Sequence, residues 1–281
     1  MFKVLLKISF FLLILVYIST ASPKHYNFNK KINPDTGSSS GKFYHLIKQF
    51  TIGLNDVYET PYYALIGRKP TPRMIVHGGM HGDEIAGYMA CDSIIRNINI
   101  LEGTLIIIPR LNIQACQKDV REINIDLNHC FPGDLSSDVY EFRLAHEFMW
   151  LVDSIQPDII INLHEALTKY NPFAEHDSEK AFGQVLITCV KPYESILENA
   201  YNNMNMIIPR DDFKFHIHFY SFKEYSSLDN FVAKFDIKSY TVETYRGFDI
   251  NDRVKLQEIA VLQFMKEAAL KYEFPEIKFY Q

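Results

Sequence analysis

Two histidines and one glutamate in this sequence have the residue types of a zinc site. His81 and Glu84 lie three residues apart, in a glycine turn that leads from a short apolar strand into a predicted helix. His164 directly follows the apolar run Ile159–Leu163, at the predicted carboxyl end of a buried strand. Two imidazoles and one carboxylate leave a fourth zinc position open for water, which is typical of a catalytic site.

The spacing of His81 and Glu84 is a weak signal when taken alone. His176 and Glu179 repeat it with no strand or glycine turn before them. The alternative for the first pair is a carboxylate stabilised by the positive end of the helix dipole, with a hydrogen-bonded histidine beside it. His77, at the start of the same turn, is expected to support the turn rather than to bind metal.

Hydrolysis by metal-activated water also requires a general base, and the charged intermediate of amide cleavage requires a cationic partner. Glu243 follows the predicted strand Ser239–Val242, so its carboxylate is expected at the same edge of the sheet as the candidate ligands. Arg121 and Asn128 lie in a polar segment after an Ile-rich strand. On residue type alone, the three have simpler alternatives: a strand-end charge, a surface cation and a turn residue.

The order of these motifs resembles that of the zinc carboxypeptidase superfamily, and in particular the succinylglutamate desuccinylase/aspartoacylase family. In chain order the motifs are His81-x-x-Glu84, Arg121, Asp126-Leu-Asn128-x-x-Phe-Pro-Gly, Leu163-His164 and Thr241-Val-Glu243. They extend over about residues 73–245, which is most of the chain. Each motif is weak, but five of them in this order are a specific signal.

The resemblance implies a role for each of these residues. One Zn²⁺ per chain would be held by His81, Glu84 and His164. Glu243 would act as the general acid/base through bound water, and Arg121 would stabilise the oxyanion. Asn128 would help to hold the carboxylate of the substrate.

Two features differ from the family pattern. In the family an arginine that binds the substrate carboxylate typically follows the residue matching Asn128, and here that position is His129. A mostly neutral imidazole does not replace a bidentate guanidinium, so a preference for acidic substrates depends on another cation such as Arg246. Tyr245 and Arg246 follow the predicted base, and we expect them to line the substrate cleft together with Asn128 and His129.

The segment after Glu243 reads as one helix, so the extra C-terminal β domain of aspartoacylases is expected to be missing, as in short murein-peptide amidases.

Apolar runs alternate with helical patterns along the chain. The predicted strands are 57–66, 74–76, 104–108, 158–162, 184–190 and 239–243, and the predicted helices are 83–97, 138–155, 193–204, 227–235 and 252–272. Continuous Ile, Val and Leu runs indicate strands that are covered on both faces. We therefore predict an α/β fold: a single three-layer domain around a mixed, largely parallel sheet, with ligand chemistry beyond the carboxyl ends of its strands.

The first residues have the pattern of a secretory signal peptide. Lys3 and Lys7 precede the apolar run Ile8–Ile18, and small residues follow. The run is shorter than the roughly 20 residues that span a bilayer. We predict cleavage after Ala21 and an exported protein with no stable membrane span; the alternatives are a buried N-terminal helix and an uncleaved anchor. The predicted segments are a signal peptide (1–21), a linker (22–41) and a catalytic domain (42–281).

Composition and cysteine content indicate the type of chain, argue against one class of partner and raise the question of disulfides. With 47% hydrophobic and 22% charged residues the chain is of the folded, globular type, and a formal net charge of −5 with no basic block argues against a nucleic-acid partner. Export would permit disulfides, and Cys116 with Cys130 is the favoured pair. The alternative is buried free thiols.

The residues and the resemblance together predict an exported, zinc-dependent hydrolase. Its substrate would be a small molecule or short peptide, and it would cleave an amide bond of an N-acyl amino acid or small peptide. The alternatives are a carboxypeptidase or amidase acting on cell-wall peptides, and a non-catalytic zinc-binding module that retains the fold. His216 and His218 alternate in one predicted strand, where surface or substrate contact is favoured over metal binding.

Overall fold

An eight-stranded mixed sheet runs through the part of the chain that a computed structural model describes, residues 45–173, 181–189, 194–220 and 227–279. Its strands are β1 (Leu46–Ile52), β2 (Thr60–Ile66), β3 (Arg73–His77), β5 (Thr104–Ile108), β6 (Ile159–Ala166), β7 (Val185–Thr188), β8 (His216–Phe219) and β9 (Lys238–Tyr245). Their order across the sheet is β1-β2-β5-β3-β6-β9-β7-β8. The central strands β5, β3, β6 and β9 are parallel, while β1, β2 and the β7–β9 pair add antiparallel contacts. A separate two-stranded sheet joins β4 (Asn99–Glu102) to β10 (Lys271–Glu273).

Helices cover both faces of this sheet. The six helices of the described residues are α1 (Ile85–Asn97), α2 (Ile113–Lys118), α3 (Tyr140–Ile155), α4 (Ser195–Ile207), α5 (Leu228–Ala233) and α6 (Ile250–Glu267). Helices α1, α4 and α6 bury their apolar side chains against alternate residues of the central strands, forming the main core. On the opposite face α3 packs through Phe148 against His77 of β3. The three-layer α/β architecture with a mixed, mostly parallel sheet is therefore confirmed.

The apolar runs locate the central elements closely. Strand β5 has the predicted bounds, and β3 and β9 contain the predicted strands with two and three added residues. Strand β6 begins one residue later than predicted and extends four residues further. Helices α1, α3 and α5 fall within their predicted segments. These strands are buried along most of their length, so their side chains are apolar at consecutive positions and easy to recognise.

At the periphery two predicted boundaries were wrong and some strands were missed. Strand β2 begins at Thr60 and not at Val57, because the turn that starts at Gly53 (φ +63°) continues to Glu59 through backbone hydrogen bonds. The last helix ends at Glu267, where Ala269 (φ +63°) reverses the chain and β10 pairs with β4. Strands β1 and β4 were not predicted. β1 lies at the edge of the sheet and is largely exposed, so its sequence shows no continuous apolar run.

The favoured disulfide is also absent. Cys116 and Cys130 are free thiols, as are Cys91 and Cys189. The Sγ of Cys116 lies 3.6 Å from the carbonyl oxygen of Gly79, and that of Cys130 lies 3.4 Å from the carbonyl oxygen of Asp126. The two thiols thus face different backbone turns, and all four cysteines are free thiols, as in the alternative given above.

Several sequence features lie outside the described residues. These are the predicted signal peptide and linker, and the pair His176 and Glu179. Among the residues that are described, no helix combines the length and the apolar character needed to cross a bilayer.

Candidate metal centre and active site

The glycine turn after β3 brings His81 and Glu84 to one point. Gly79 has φ +63°, and a Cβ there would lie 2.7 Å from the Sγ of Cys116, so only glycine fits. The carbonyl groups of Gly78 and Gly79 accept hydrogen bonds from the backbone N–H groups of Leu111 and Asn112. The turns that follow β3 and β5 are therefore joined, and Glu84 lies directly before α1.

His81, Glu84 and His164 form a compact, buried cluster. Their ligand-type atoms all lie within 4.8 Å of one another. The Nδ1 atom of His81 lies 2.7 Å from Oε1 of Glu84, and the Nδ1 atom of His164 lies 2.9 Å from Oε2. Within the described ranges no other group of three or more His, Cys, Asp or Glu residues is close enough to hold a metal ion. The three predicted ligands are therefore together, each with a donor atom directed at the same small volume.

Asp126 fixes the orientation of His81. Its Oδ1 accepts a hydrogen bond from Nε2 of His81 at 3.0 Å and from the backbone N–H of Asn128 at 2.8 Å. A carboxylate that holds the far nitrogen of an imidazole sets its tautomer and leaves the near nitrogen available to a metal. The motif contained Asp126, but its contact with His81 was not foreseen. The Asp126-Leu-Asn128 motif is the sequence signal that could have indicated this contact.

The charges of the cluster shift the pKa values of its members in opposite directions. Burial opposes a charge on His81, but Glu84 and Asp126 outweigh it and raise the pKa of His81 to about 9. Burial would also raise the pKa of Glu84, yet His164 and His81 hold it well below its usual range. The carboxylates of Glu84 and Asp126 thus favour a positive charge at this buried position.

Glu243 lies beside the cluster on the neighbouring strand. Its residue is the direct register partner of His164 between β6 and β9, so both side chains project from the same face of the sheet. The Oε2 atom of Glu243 is buried and has no hydrogen-bond partner among the described residues. Burial raises the pKa of Glu243 to about 7; His164 opposes this rise and Glu84 adds to it. A carboxylate of this kind can exchange a proton near neutral pH.

Two arginines converge on one oxygen of Glu84. Nη1 of Arg121 lies 3.4 Å from Oε1 of Glu84, and Nη2 of Arg121 lies 2.8 Å from Asp126. Nη2 of Arg246 lies 3.9 Å from the same Oε1, and its Nη1 binds Asp83 at 2.9 Å. The structure therefore places both predicted cations beside the cluster. The contact of Arg246 with Asp83 was not predicted.

The remaining predicted site residues lie on the turn after Asp126 and at the end of β9. The Oδ1 atom of Asn128 accepts a hydrogen bond from the backbone N–H of Leu228, at the start of α5. His129 is exposed at the end of the short 3₁₀ helix Leu127–His129. Tyr245 lies two residues beyond Glu243 on the same strand face, and its ring packs edge-on against Phe248 at 5.1 Å between centroids.

Other histidines lie outside the cluster. His77 is fully buried beside Phe148, and burial lowers its pKa to about 3, which keeps it neutral. His216 and His218 lie on β8, the other edge of the sheet, with ring centroids 5.3 and 5.7 Å from that of Tyr170. None of these three histidines belongs to the cluster of His81, Glu84 and His164.

Polar contacts behind the cluster hold the ends of β6 and β9. Glu165 accepts a hydrogen bond from the backbone N–H of Ala86 and pairs with Arg253 of α6 at 2.6 Å. Gln257 of α6 donates to the carbonyl oxygen of His164 at 2.8 Å. On the opposite face Asp229 of α5 accepts hydrogen bonds from three side chains: Asn162, Ser239 and Thr241. No local sequence pattern indicates these contacts, because they join residues that are far apart in the chain.

Residues 70–184 match the model of the succinylglutamate desuccinylase/aspartoacylase catalytic domain. The resemblance drawn from the motifs is confirmed. The match contains His81, Glu84 and His164 and ends before Glu243, so the position of Glu243 rests on its pairing with His164.

One curated relative and several solved structures extend this likeness. An Nα-acetyl-L-2,4-diaminobutyric acid deacetylase of Halomonas elongata is 30% identical over 106 residues, which cover 36% of this chain and 30% of that protein. The cell shape determinant Csd4 of Helicobacter pylori has a similar fold, with a TM-score of 0.67 at 17% identity over 77% of this chain and 57% of Csd4. A succinylglutamate desuccinylase/aspartoacylase of Rhodobacter sphaeroides gives 0.56 at 21% identity, over 75% of this chain and 60% of that one. The chain thus spans less than two thirds of each of these proteins.

The pair of Glu165 and Arg253 generates a stability prediction. The Glu165 side chain is fully buried and that of Arg253 is 12% exposed. Replacing Arg253 with Leu leaves an unpaired buried carboxylate, so we expect the free energy of unfolding in urea to fall by about 3–5 kcal/mol. The double variant Glu165→Gln/Arg253→Leu removes the charge and should regain at least half of the loss.

A surface ion pair provides the control for this series. Arg210 pairs with Asp212, and both side chains are largely exposed. Arg210→Leu should therefore change the free energy of unfolding by less than about 1 kcal/mol. Equal losses in Arg253→Leu and in the double variant would show that the buried charge is not the cause.

Proposed function

We propose that this protein is a zinc-dependent hydrolase that cleaves an amide bond of an N-acyl amino acid or a short peptide. One observation carries the proposal. The buried cluster of His81, Glu84 and His164 lies next to Glu243, a carboxylate with an unpartnered oxygen on the adjacent strand. A metal-binding group and a proton acceptor are thus paired by the register of the sheet.

The donor set of the cluster fits zinc. Two imidazole nitrogens and one carboxylate oxygen are the protein ligands of many catalytic zinc sites, and Asp126 provides the partner that such a histidine requires. A zinc ion held by His81, Glu84 and His164 would supply Lewis-acid polarisation of the scissile carbonyl and a water activated near neutral pH.

The other residues of the site have separate tasks in this mechanism. Glu243 accepts the proton of the attacking water and returns it to the leaving amine, for which a pKa of about 7 is suited. Arg121, half exposed beside Glu84, donates hydrogen bonds to the oxyanion that develops on the carbonyl oxygen. Asn128 holds the substrate from the turn that Asp126 anchors, in accord with the family resemblance.

The comparisons support two kinds of substrate. The relative in Halomonas elongata removes an acetyl group from an amino acid, which favours deacylation. Csd4, whose solved structures include tripeptide-bound and mDAP-bound forms of a D,L-carboxypeptidase, supports trimming of cell-wall peptides as the second candidate. A non-catalytic zinc-binding module is a weaker alternative, because Arg121 and Glu243 both remain in place beside the cluster.

Replacement of Glu243 tests the catalytic step. We expect Glu243→Gln to lower kcat by about 10²–10⁴-fold, because the amide cannot accept a proton, while the zinc content stays at that of the wild type. The measurement is hydrolysis of N-acetyl amino acids and short cell-wall peptides by zinc-loaded protein, with zinc counted by atomic absorption. Glu122→Gln, which changes an exposed carboxylate of a nearby turn, is the matched control. Full activity in Glu243→Gln, or zinc-loaded wild type that hydrolyses no member of the panel, would contradict the proposal.

Replacement of Asp126 tests the metal site independently of activity. Asp126→Asn keeps the turn but removes the negative charge from Nε2 of His81, so the dissociation constant for zinc should rise by about 10–100-fold. Competition with a chromogenic chelator measures this constant. Asp138→Asn makes the same change at an exposed carboxylate and should leave it unchanged. Equal affinities in the two variants would remove Asp126 from the metal site.

We also propose that the protein acts outside the cytoplasm. The proposal is supported by the sequence of the first residues, with Lys3 and Lys7 before the apolar run Ile8–Ile18. Cleavage after Ala21 would leave Ser22 as the first residue. N-terminal sequencing of protein recovered from the exported fraction of an expressing bacterium should read Ser22, and recovery only from the cytosol with Met1 intact would contradict export.

A further inference from the structure

The segment that carries Arg121 and Asp126 is tied to the rest of the protein through Asn124. Of residues 122–125, only Asn124 hydrogen-bonds to a residue outside the segment within the described chain. Its backbone N–H donates to Oε1 of Glu141 at 2.9 Å, and its Nδ2 donates to Oε2 at 3.0 Å. Both oxygens of one carboxylate are therefore used to hold one residue.

The first turn of α3 places Glu141 for this contact. The side chain of Glu141 is fully buried. A buried carboxylate is costly unless its oxygens accept hydrogen bonds, so the bonds from Asn124 hold both residues in one geometry. The adjacent Tyr140 donates from its hydroxyl group to Oδ1 of Asn112, the residue before α2, at 2.7 Å. The start of α3 thus holds the chain on both sides of α2.

The residues on either side of Asn124 make the contacts that matter for the site. Nη2 of Arg121 pairs with Oδ2 of Asp126 at 2.8 Å, and Oδ1 of Asp126 accepts from Nε2 of His81 at 3.0 Å. The carbonyl oxygen of Arg121 accepts from the backbone N–H of Gly82 at 3.3 Å. The side chain of Arg121 is 51% exposed, so packing does little to fix it. Its position therefore depends on the backbone that Asn124 anchors.

We propose that Glu141 is a positioning residue for the hydrolytic site and acts through Asn124. It holds Arg121 at the place where the oxyanion develops, and it holds Asp126 against His81. The proposal rests on the hydrolase function proposed above. Displacement of a catalytic group by about 1 Å can lower a rate by about 10²-fold, so such an anchor affects turnover from a distance. Because the carboxylate of Glu141 binds Asn124, its influence comes from geometry and not from its charge.

Amide hydrogen exchange tests the anchor without metal or turnover. Glu141→Met removes both acceptors, so the backbone N–H groups of Asn124 and Gly82 should exchange at least about tenfold faster relative to those of β5, which report global opening. Glu141→Gln keeps the shape. Its oxygen can accept from the N–H of Asn124, and its amide can donate to Oδ1 of Asn124 after that side-chain amide rotates, so exchange should stay within about threefold of the wild type.

Zinc affinity and turnover test the consequence for the site. Asp126 loses part of its hold on His81 in Glu141→Met, so the dissociation constant for zinc should rise by about tenfold, the lower end of the range for removal of the partner itself. The oxyanion exists only in the transition state, so kcat should fall by about 10–100-fold while KM stays within about threefold. Glu141→Gln should return all of these values to within about threefold of the wild type.

Asn205→Ala is the control for a loss of stability alone. Asn205 of α4 makes a matched pair of hydrogen bonds with the backbone of Phe215, before the edge strand β8. Its replacement should lower Tm but leave the zinc dissociation constant and kcat unchanged. Asn124→Ala removes only the Nδ2 bond, from an exposed residue, and should show the pattern of Glu141→Met at smaller amplitude. It decides the question if Glu141→Met does not fold.

Three results would overturn the proposal. Unchanged exchange at Asn124 and Gly82 in both disrupting variants means that no anchor exists. Faster exchange with unchanged zinc affinity and kcat, or equal losses in Asn205→Ala, assigns Glu141 a role in stability alone. A loss in Glu141→Gln as large as in Glu141→Met means that charge and not geometry is decisive. A wild type that hydrolyses nothing would refute the hydrolase function, while exchange and zinc affinity would still decide the role of Glu141.

Discussion

The buried carboxylate of Glu84 is the interaction on which the rest of the site depends. Each of its oxygens faces one imidazole, and two guanidiniums approach one of them. A buried carboxylate without partners would cost several kcal/mol, and removing one partner of such a group costs about 3–5 kcal/mol. The turn after β3, the end of β6 and the turn after β9 therefore each deliver one positive or protonatable group to the same point.

The sheet explains why these groups can meet there. β3, β6 and β9 are parallel and adjacent, so their carboxyl ends form one edge, and the register pairs His164 with Glu243. That edge is held from both faces. Arg253 and Gln257 of α6 bind residues at the end of β6. Asp229 of α5 accepts hydrogen bonds from Asn162 and Thr241, which lie two residues before His164 and Glu243 on their strands. Strands β6 and β9 thus position His164 and Glu243, and the turn after β3 positions His81 and Glu84.

The sequence predicts the part of this arrangement that depends on local pattern. The buried strands are visible as apolar runs, and His81, Glu84, His164 and Glu243 follow them directly, so both the sheet and the cluster could be foreseen. Other features depend on partners distant in sequence. The contact of Arg246 with Asp83 joins residues 163 positions apart, and that of Glu165 with Arg253 joins residues 88 apart. Edge strands such as β1 bury only part of their side chains, so they leave no continuous pattern, and the two cysteines of the favoured pair are drawn to separate turns.

The electrostatics of the cluster would link the binding of a metal ion to the release of a proton. Between Glu84 and Asp126, the imidazole of His81 has a pKa raised to about 9, so it holds a proton at neutral pH when no metal competes. A metal ligand must be deprotonated, so a metal ion held by His81 would displace that proton. The same negative charges that favour the proton favour a divalent cation, which carries twice its charge. As the pH falls, protons compete more strongly for His81 and metal affinity declines; as the pH rises toward 9, the competition weakens. The raised pKa of His81 thus shows that the carboxylates of this buried cluster favour positive charge, and Asp126 orients the imidazole so that its Nδ1 atom faces Glu84.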